Sequence, residues 1–323
     1  MMEITPRSAR QWSRLGSRGI FGQAILSIAE DHPEMMVLSA DLGNSSGLDR
    51  FKATYPDQFL NTGIAEQNMI GVAAGLAKEG YTVFATSFAP FIAMRASEQV
   101  RMNLGYMEMN VKAVAIGSGI AMGLLGNSHF GIEDVAVMRS IPNLTVVSPA
   151  DCAAIVKTVE AAARFQGPMY IRLTGTANTP VVYTEDFPFE IGKAVPLREG
   201  ADVALVACGS MVHAALKAAE ALAEQGLAAA VLDMHTLKPL DGAALDALMA
   251  TVPAVVTVEE HTVIGGLGSA VAEYMAPRAE RVRHLAIGLP DIFVKTGQYE
   301  YMLEQQGLVG PAIASRVRDF LAA

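Results

Sequence analysis

Basic residues are scarce in this 323-residue chain, with 24 Lys and Arg against 33 Asp and Glu and a formal net charge of -9. They are also scattered, so the electrostatic footprint of a nucleic-acid binder is missing. Aromatic residues make up only 7% of a composition that is 51% hydrophobic. Abundant Ala, Val, Leu and Gly suit buried parallel strands and close helix packing better than an all-β sandwich. Cysteine is nearly absent: Cys152 and Cys208 lie far apart and match neither a redox pair nor a metal knuckle. Both read as small buried hydrophobes. With no apolar secretory segment at the N-terminus, the expected setting is cytoplasmic. A long membrane span is also missing. The uncharged run Ala113 to Ile132 has spanning length, but its glycines and Asn127, Ser128 and His129 make it a poor membrane helix. It reads as a buried strand followed by a loop. Neither a solenoid repeat nor a low-complexity tract is present.

What is present is alternation. From about Gly16 to Thr174 the apolar runs MMVLSA, FLNTGI, TVFATS, VKAVAI, LTVVSP and MYIRL alternate with amphipathic segments such as AEQNMIGVAAGLAKEG and ADCAAIVKTVEAAARF. This is the pattern of βαβ units in a mostly parallel sheet. The proline-bearing, polar stretch TGTANTPVVYTEDFPFEIGKAVPLREG breaks the rhythm, as where a chain crosses between domains. Alternation resumes with ADVALVACG, a helix through MVHAALKAAEALAEQG, then AAAVLDM, AVVTVEEH and VRHLAIG. The fold class is therefore α/β, with two consecutive doubly wound, mostly parallel-sheet domains. The expected division is an N-terminal extension (1–15), a first domain (16–180), a linker (181–199) and a second, smaller domain (200–323).

Open parallel sheets bind ligands at the carboxyl ends of their strands. The segments found there are Asp41 to Ser46, Gly63 to Asn68, Ser87 to Phe91, Gly117 to Gly119 and the loop LLGNSHFGIED. Glu66 opens a helix after FLNTGI. It is either an ordinary first-turn acid facing the helix dipole, or an acid in an apolar neighbourhood of Ile64, Met69 and Ile70 with heightened proton affinity, placed to trade a proton with a bound heterocycle. Phe88 and Phe91, three apart where a strand turns into a helix, are either core or a stacking wall for a flat ligand. Position alone does not decide either case.

The runs SADLGNS, NTGIAEQNM, ATSFAPFIAMRASEQVR and GNSHFGIEDVAVMRSIPNLTVVSPAD, in that order, resemble the pyrimidine domain of transketolases. A more distant likeness extends to deoxyxylulose-phosphate synthase and pyruvate dehydrogenase beta subunits, and VTVEEHTVIGGLGSAVAE resembles the transketolase C-terminal domain. The resemblance implies thiamine diphosphate as cofactor. Glu66 matches the family glutamate that bonds N1′ of the aminopyrimidine and so activates thiazolium C2; the cofactor supplies the electron sink for C–C cleavage. Phe88 and Phe91 match the aromatic pocket around the pyrimidine, with Phe91 the better stacking candidate. Asp41 matches a position near the cofactor and Ser45 one near the substrate channel. Arg18 lies where relatives hold a substrate phosphate, and His129 matches a catalytic and substrate-channel histidine.

The family's diphosphate site is built around a G-D-G motif with a divalent metal, and no G-D-G occurs in this sequence. The resemblance thus implies a split enzyme. A partner chain, the N-terminal section, would supply the diphosphate site and Mg2+ or Ca2+, and two copies of each chain would make a heterotetramer. No metal site is assigned to this chain. Three departures bear on substrate. Gly117 and Ser118 stand where transketolases have Thr-His, and Leu124 and Leu125 replace an acidic pair. A phosphate-binding arginine expected near Gly175 is missing, leaving Arg172 as the nearest candidate. Since unmatched hydroxyls bind poorly to leucine, ketol or acyl transfer on a substrate other than the standard pentose phosphates is expected.

Alternatives are a beta-type subunit of another thiamine-diphosphate 2-oxo acid enzyme, a non-catalytic subunit, and a nucleotide-dependent oxidoreductase. The last would use G-S-G-I-A-M-G, but this does not open the first βαβ unit as a G-x-G-x-x-G should. The presence of Glu66 argues against the second. Three further features read plainly: Glu259, Glu260 and His261 as a polar loop at a strand end; the 17 methionines, including Met94, Met102, Met107, Met109 and Met122, mostly as core filler; and Gly265, Gly266 and Gly268 as a tight turn into a helix ending near Tyr274.

Overall fold

A computed structural model describes residues 2–278 and 282–323. Residue 1, within the expected N-terminal extension, and residues 279–281, within the expected second domain, lie outside the described residues. All six apolar runs of the first half are strands: β1 Met35–Ser39, β2 Phe59–Asn61, β3 Thr82–Phe88, β4 Val111–Ser118, β5 Thr145–Val147 and β6 Met169–Thr174. They pair in the order β5-β6-β4-β3-β1-β2, every pair parallel. Every residue of β3, β4 and β6 is buried, because helices cover both faces. Alternation sorts the core: Phe84 and Val114 join the cluster on one face with Trp12, Phe21 and Ile155. Ala85, Ala113 and Ala115 join the other with Met69, Ile70 and Ile92. Burying each large apolar side chain stabilises by about 1.5–3 kcal/mol.

The second half contains β7 Val195–Arg198, β8 Val203–Ala207, β9 Ala229–Asp233, β10 Thr236–Lys238, β11 Ala254–Thr262 and β12 Arg283–Leu289. The second sheet runs β12-β11-β8-β9-β7, parallel except for β7. β10 leaves this half of the chain and pairs antiparallel with β5, extending the first sheet to seven strands. The tight turn at Gly265 leads into the helix Leu267–Met275.

The segments read as extension and linker are integral to the packing. Residues 6–15 form the first part of the helix Pro6–Ile28, opened by a capping box between Thr5 and Ser8. The helix kinks at Gly16, whose φ of 73° and absent Cβ are both required: a Cβ there would lie 2.3 Å from the Thr176 carbonyl oxygen. Trp12 is buried and its carbonyl accepts from Cys152 Sγ at 3.4 Å. In 181–199, Tyr183 is buried, stacks on Phe187 at 3.6 Å and donates its hydroxyl to Asp233 at 2.7 Å, and β7 closes the edge of the second sheet. Sequence reading missed these because their partners lie far along the chain.

Both cysteines are buried, and burial pushes the Cys152 thiol up to about 12. No helix among the described residues is long and apolar enough to cross a membrane. The run from Ala113 is β4 followed by a turn-rich loop, as its composition indicates. Among the methionines, Met94 and Met107 are exposed rather than core.

Candidate active site

β2 and the turn at Gly63 deliver Glu66 as the first residue of the helix Glu66–Lys78, where the helix dipole favours an acid. Glu66 is only 2% exposed. The apolar setting expected for its carboxylate is not there, since Ile64 is 77% exposed and the oxygens meet polar donors. Ser87 in β3 donates to Oε1 at 3.2 Å, and Arg95 Nη1 donates to Oε2 at 2.8 Å. Met69 and Ile70 are fully buried in the core behind the helix.

Phe88 ends β3, and Phe91 begins a π-helical turn, Phe91–Arg95. That wider turn lays the Arg95 guanidinium over the Phe91 ring, with Cζ 4.1 Å from the centroid. The Phe88 and Phe91 rings meet edge to face at 5.9 Å, and the His129 ring packs on both, at 5.5 and 5.3 Å. The carboxyl ends of β2, β3 and β4 therefore assemble one continuous group: Glu66, Ser87, Arg95, Phe91, Phe88 and His129. His129 Nδ1 shares a hydrogen bond with Ser128 Oγ at 3.0 Å. The ends of its loop are closed by reciprocal bonds between Gly119 and Gly131, at 2.7 and 3.0 Å.

Asp41 adopts a positive φ of 58° after β1 and makes reciprocal 3.0 Å hydrogen bonds with the Asn61 side chain. Asn61 Oδ1 also accepts from Gly63 N at 3.0 Å, so the pair braces the turn that delivers Glu66. Ser45 sits half-buried in the turn after β1, beside Ser46. Arg18 lies on a groove of about 360 Å³ with Met122, Leu124, Leu125, Tyr299 and Glu300. Leu124 and Leu125 are 71% and 53% exposed on the loop that leads to His129.

Arg172 is not in this group. Its side chain, 2% exposed, pairs with Asp134 at 2.8 Å and donates to the carbonyls of Gly131 and Glu260 at 2.9 and 2.8 Å. Asp134 also accepts from Tyr170 at 2.8 Å, and its charge holds the arginine firmly protonated against the pull of burial. Arg172 is thus a fixed internal cation under the His129 loop, closed to a substrate phosphate. Sequence position could not reveal this, since Asp134 and Glu260 reach it only through the fold.

Glu259, Glu260 and His261 form no polar loop; they belong to β11 and are buried. Glu260 accepts from Ile120 N at 2.7 Å, from Tyr299 at 2.6 Å and from Ser210, tying the second domain to the loop after β4. Glu259 accepts from Leu267 N and Gly268 N at 2.7 and 2.8 Å, holding the next helix terminus, and burial pushes its carboxyl up to about 7. His261 takes an N–H from Ala136 at 3.4 Å and donates from Nδ1 to the Thr262 carbonyl at 2.7 Å. Burial pushes its imidazole down to about 4, which keeps the ring neutral. The G-S-G run offers no phosphate cradle, because a Cβ on Gly119 would lie 2.1 Å from the Glu260 carboxylate.

Sequence reasoning assigned no role to Ser87, Arg95 or Asn61. All three stand inside the runs that resemble transketolases, and Ser87 also opens the strand-end segment Ser87 to Phe91.

The profile of the transketolase pyrimidine binding domain matches residues 14–179, and that of the transketolase C-terminal domain matches residues 192–313. The chain is 40% identical to the 6-deoxy-6-sulfo-D-fructose transketolase subunit of Clostridium sp. (strain MSTE9), covering 94% of this chain and 93% of that one. It is 35% identical to an apulose-4-phosphate transketolase subunit of Phocaeicola vulgatus, covering 95% and 98%. A solved split-gene transketolase, described as an inactive beta4 tetramer, superposes with a TM-score of 0.85 at 41% identity, covering 95% and 98%. With both domain profiles matched in order and relatives aligned end to end, the chain belongs to the transketolase family of thiamine-diphosphate-dependent transferases, as a subunit carrying the pyrimidine-binding and C-terminal domains.

Proposed function

We propose that this chain forms the pyrimidine half of a two-chain, thiamine-diphosphate-dependent enzyme that moves a two-carbon ketol unit from a ketose to an aldehyde. The observation that carries the reading is the buried Glu66 carboxylate beside the Phe88, Phe91 and His129 rings. That donor set fits an aminopyrimidine: an acid to share a proton with a ring nitrogen and an aromatic surface to receive the ring's face. When bound, the cofactor supplies the carbanionic centre and electron sink that C–C transfer requires. Glu66 holds the proton at N1′, and Ser87 keeps its Oε1 oriented. Phe91 and Phe88 position the ring and exclude water. Asp41, through Asn61, holds the turn that sets Glu66. His129 faces the substrate side of the aromatic pair, where its imidazole can exchange a proton with a substrate hydroxyl.

The partner chain supplies the diphosphate site and its Mg2+ or Ca2+, in a heterotetramer of two copies of each chain. Two unpaired buried thiols accord with a cytoplasmic setting. The substrate is a ketose other than the standard pentose phosphates. Supporting this, the groove pairs one cation, Arg18, with exposed leucines, while Arg172 is committed to Asp134. Relatives whose names specify a sulfo-sugar and apulose 4-phosphate point the same way. Ser45, Arg18 and His129 are the substrate contacts of this chain, with Arg18 receiving the anionic end. The test is reconstitution with the partner, thiamine diphosphate and Mg2+, followed by turnover of a panel of ketose donors. Efficient turnover of xylulose 5-phosphate with ribose 5-phosphate overturns the substrate assignment, and full activity of Glu66→Gln overturns the mechanism.

A further inference from the structure

The Arg95 guanidinium does two things at once: it donates to Glu66 Oε2 at 2.8 Å and lies over the Phe91 ring at 4.1 Å. A planar nitrogen group that lies over Phe91 and meets a Glu66 oxygen takes the place an aminopyrimidine would occupy with its N1′ sharing a proton with Glu66. Two such groups cannot share one face of Phe91 and one carboxylate oxygen. We propose that Arg95 is a displaceable stand-in for the cofactor's pyrimidine, filling its place in the unliganded chain and swinging out when the cofactor enters. This rests on the cofactor reading above and adds a positioning residue to it.

Three features make the exchange feasible. The Arg95 side chain is 46% exposed, so the guanidinium has a short path to water and regains hydration on leaving. Ser87 holds the other Glu66 oxygen throughout, so the carboxylate keeps its orientation while one partner replaces another. Before the cofactor arrives, Arg95 neutralises a carboxylate that is 2% exposed and would otherwise be a costly buried charge. The same contact makes the cofactor compete with a side chain for its own site.

The test is calorimetric titration of the cofactor-stripped two-chain complex with thiamine diphosphate in saturating Mg2+, for wild type, Arg95→Ala and Arg95→Met. The last keeps an apolar stem against Phe91 without a donor. Removing an ion pair and cation–π contact of this kind is expected to tighten the apparent Kd by roughly fivefold to tenfold. Both variants should shift in that direction. A residue that only braced Glu66 would weaken binding when removed, so unchanged or weaker affinity in both variants overturns the proposal and leaves the cofactor reading standing. If the wild-type complex does not bind thiamine diphosphate, the cofactor reading and the proposal fall together.

Discussion

Glu66, opening a helix of the first domain, and Glu260, in β11 of the second sheet, are both buried glutamates, and they differ in what surrounds the carboxylate. Glu260 is held by the Ile120 amide and by the Tyr299 and Ser210 hydroxyls, groups fixed in place by both domains. Glu66 has one fixed hydroxyl, Ser87, and one half-exposed arginine. Burial pushes the Glu260 carboxyl upward, and its donors pull it back. On the proposed assignment of Glu66, burial alone does not mark a working acid. On that assignment Glu66 keeps one half-exposed, movable partner, whereas Glu260, which joins the domains, is enclosed by donors that cannot leave.

Substitutions can break or sharpen that contrast. The largest effect is expected from Glu66→Gln, which should lower kcat of the reconstituted enzyme by about 10²–10⁴-fold while barely moving the unfolding midpoint. A comparable loss of stability with retained turnover would reverse the assignment. Next, Arg172→Met leaves Asp134 buried without its cation and should destabilise the chain by about 3–5 kcal/mol in urea unfolding. A neutral outcome would return Arg172 to the list of substrate contacts. Glu260→Gln should cost about 1–3 kcal/mol by the same measurement, because one of its buried donors loses its acceptor. The kcat of the folded fraction should change little.

The last effect is a slope rather than a fixed loss. Burial pushes the Asp233 carboxyl up from an ordinary 3.8 to about 8, with one oxygen accepting from Tyr183 and the other unpartnered. The folded state therefore holds a proton that the unfolded chain has released. Its stabilising contribution is complete below about pH 4 and is lost as pH rises toward 8. Asp233→Asn should remove that part of the stability–pH dependence between those limits. An unchanged slope would show that Asp233 is ionised in the folded chain.

Much of the fold was legible because its signals are local. Six apolar runs became six strands, and the alternation that resumes after the proline-bearing stretch became strands of the second sheet. Edge strands β7 and β10 escaped notice because short edge pairings bury little and leave a weak pattern. The Glu66, Phe88, Phe91 and His129 group was legible through ordered motifs, and its members do meet. Glu259, Glu260 and His261 were misjudged as a loop because charged residues in a strand look exposed until their partners are known.

By itself, the sequence determined which segments are strands and helices, that two α/β units follow one another, and which residues end the strands where such sheets bind ligands. Those properties depend on periodicity and on residues near each other along the chain. Only the tertiary structure decided which charges are internal and which are available. Arg172 and Arg95 look alike in sequence, yet one meets Asp134 under a loop and the other meets Glu66 with its own side chain half-exposed. The energy of a charge is set by the dipoles and counter-charges within a few ångströms of it, and the chain brings those together from distant positions only when it folds.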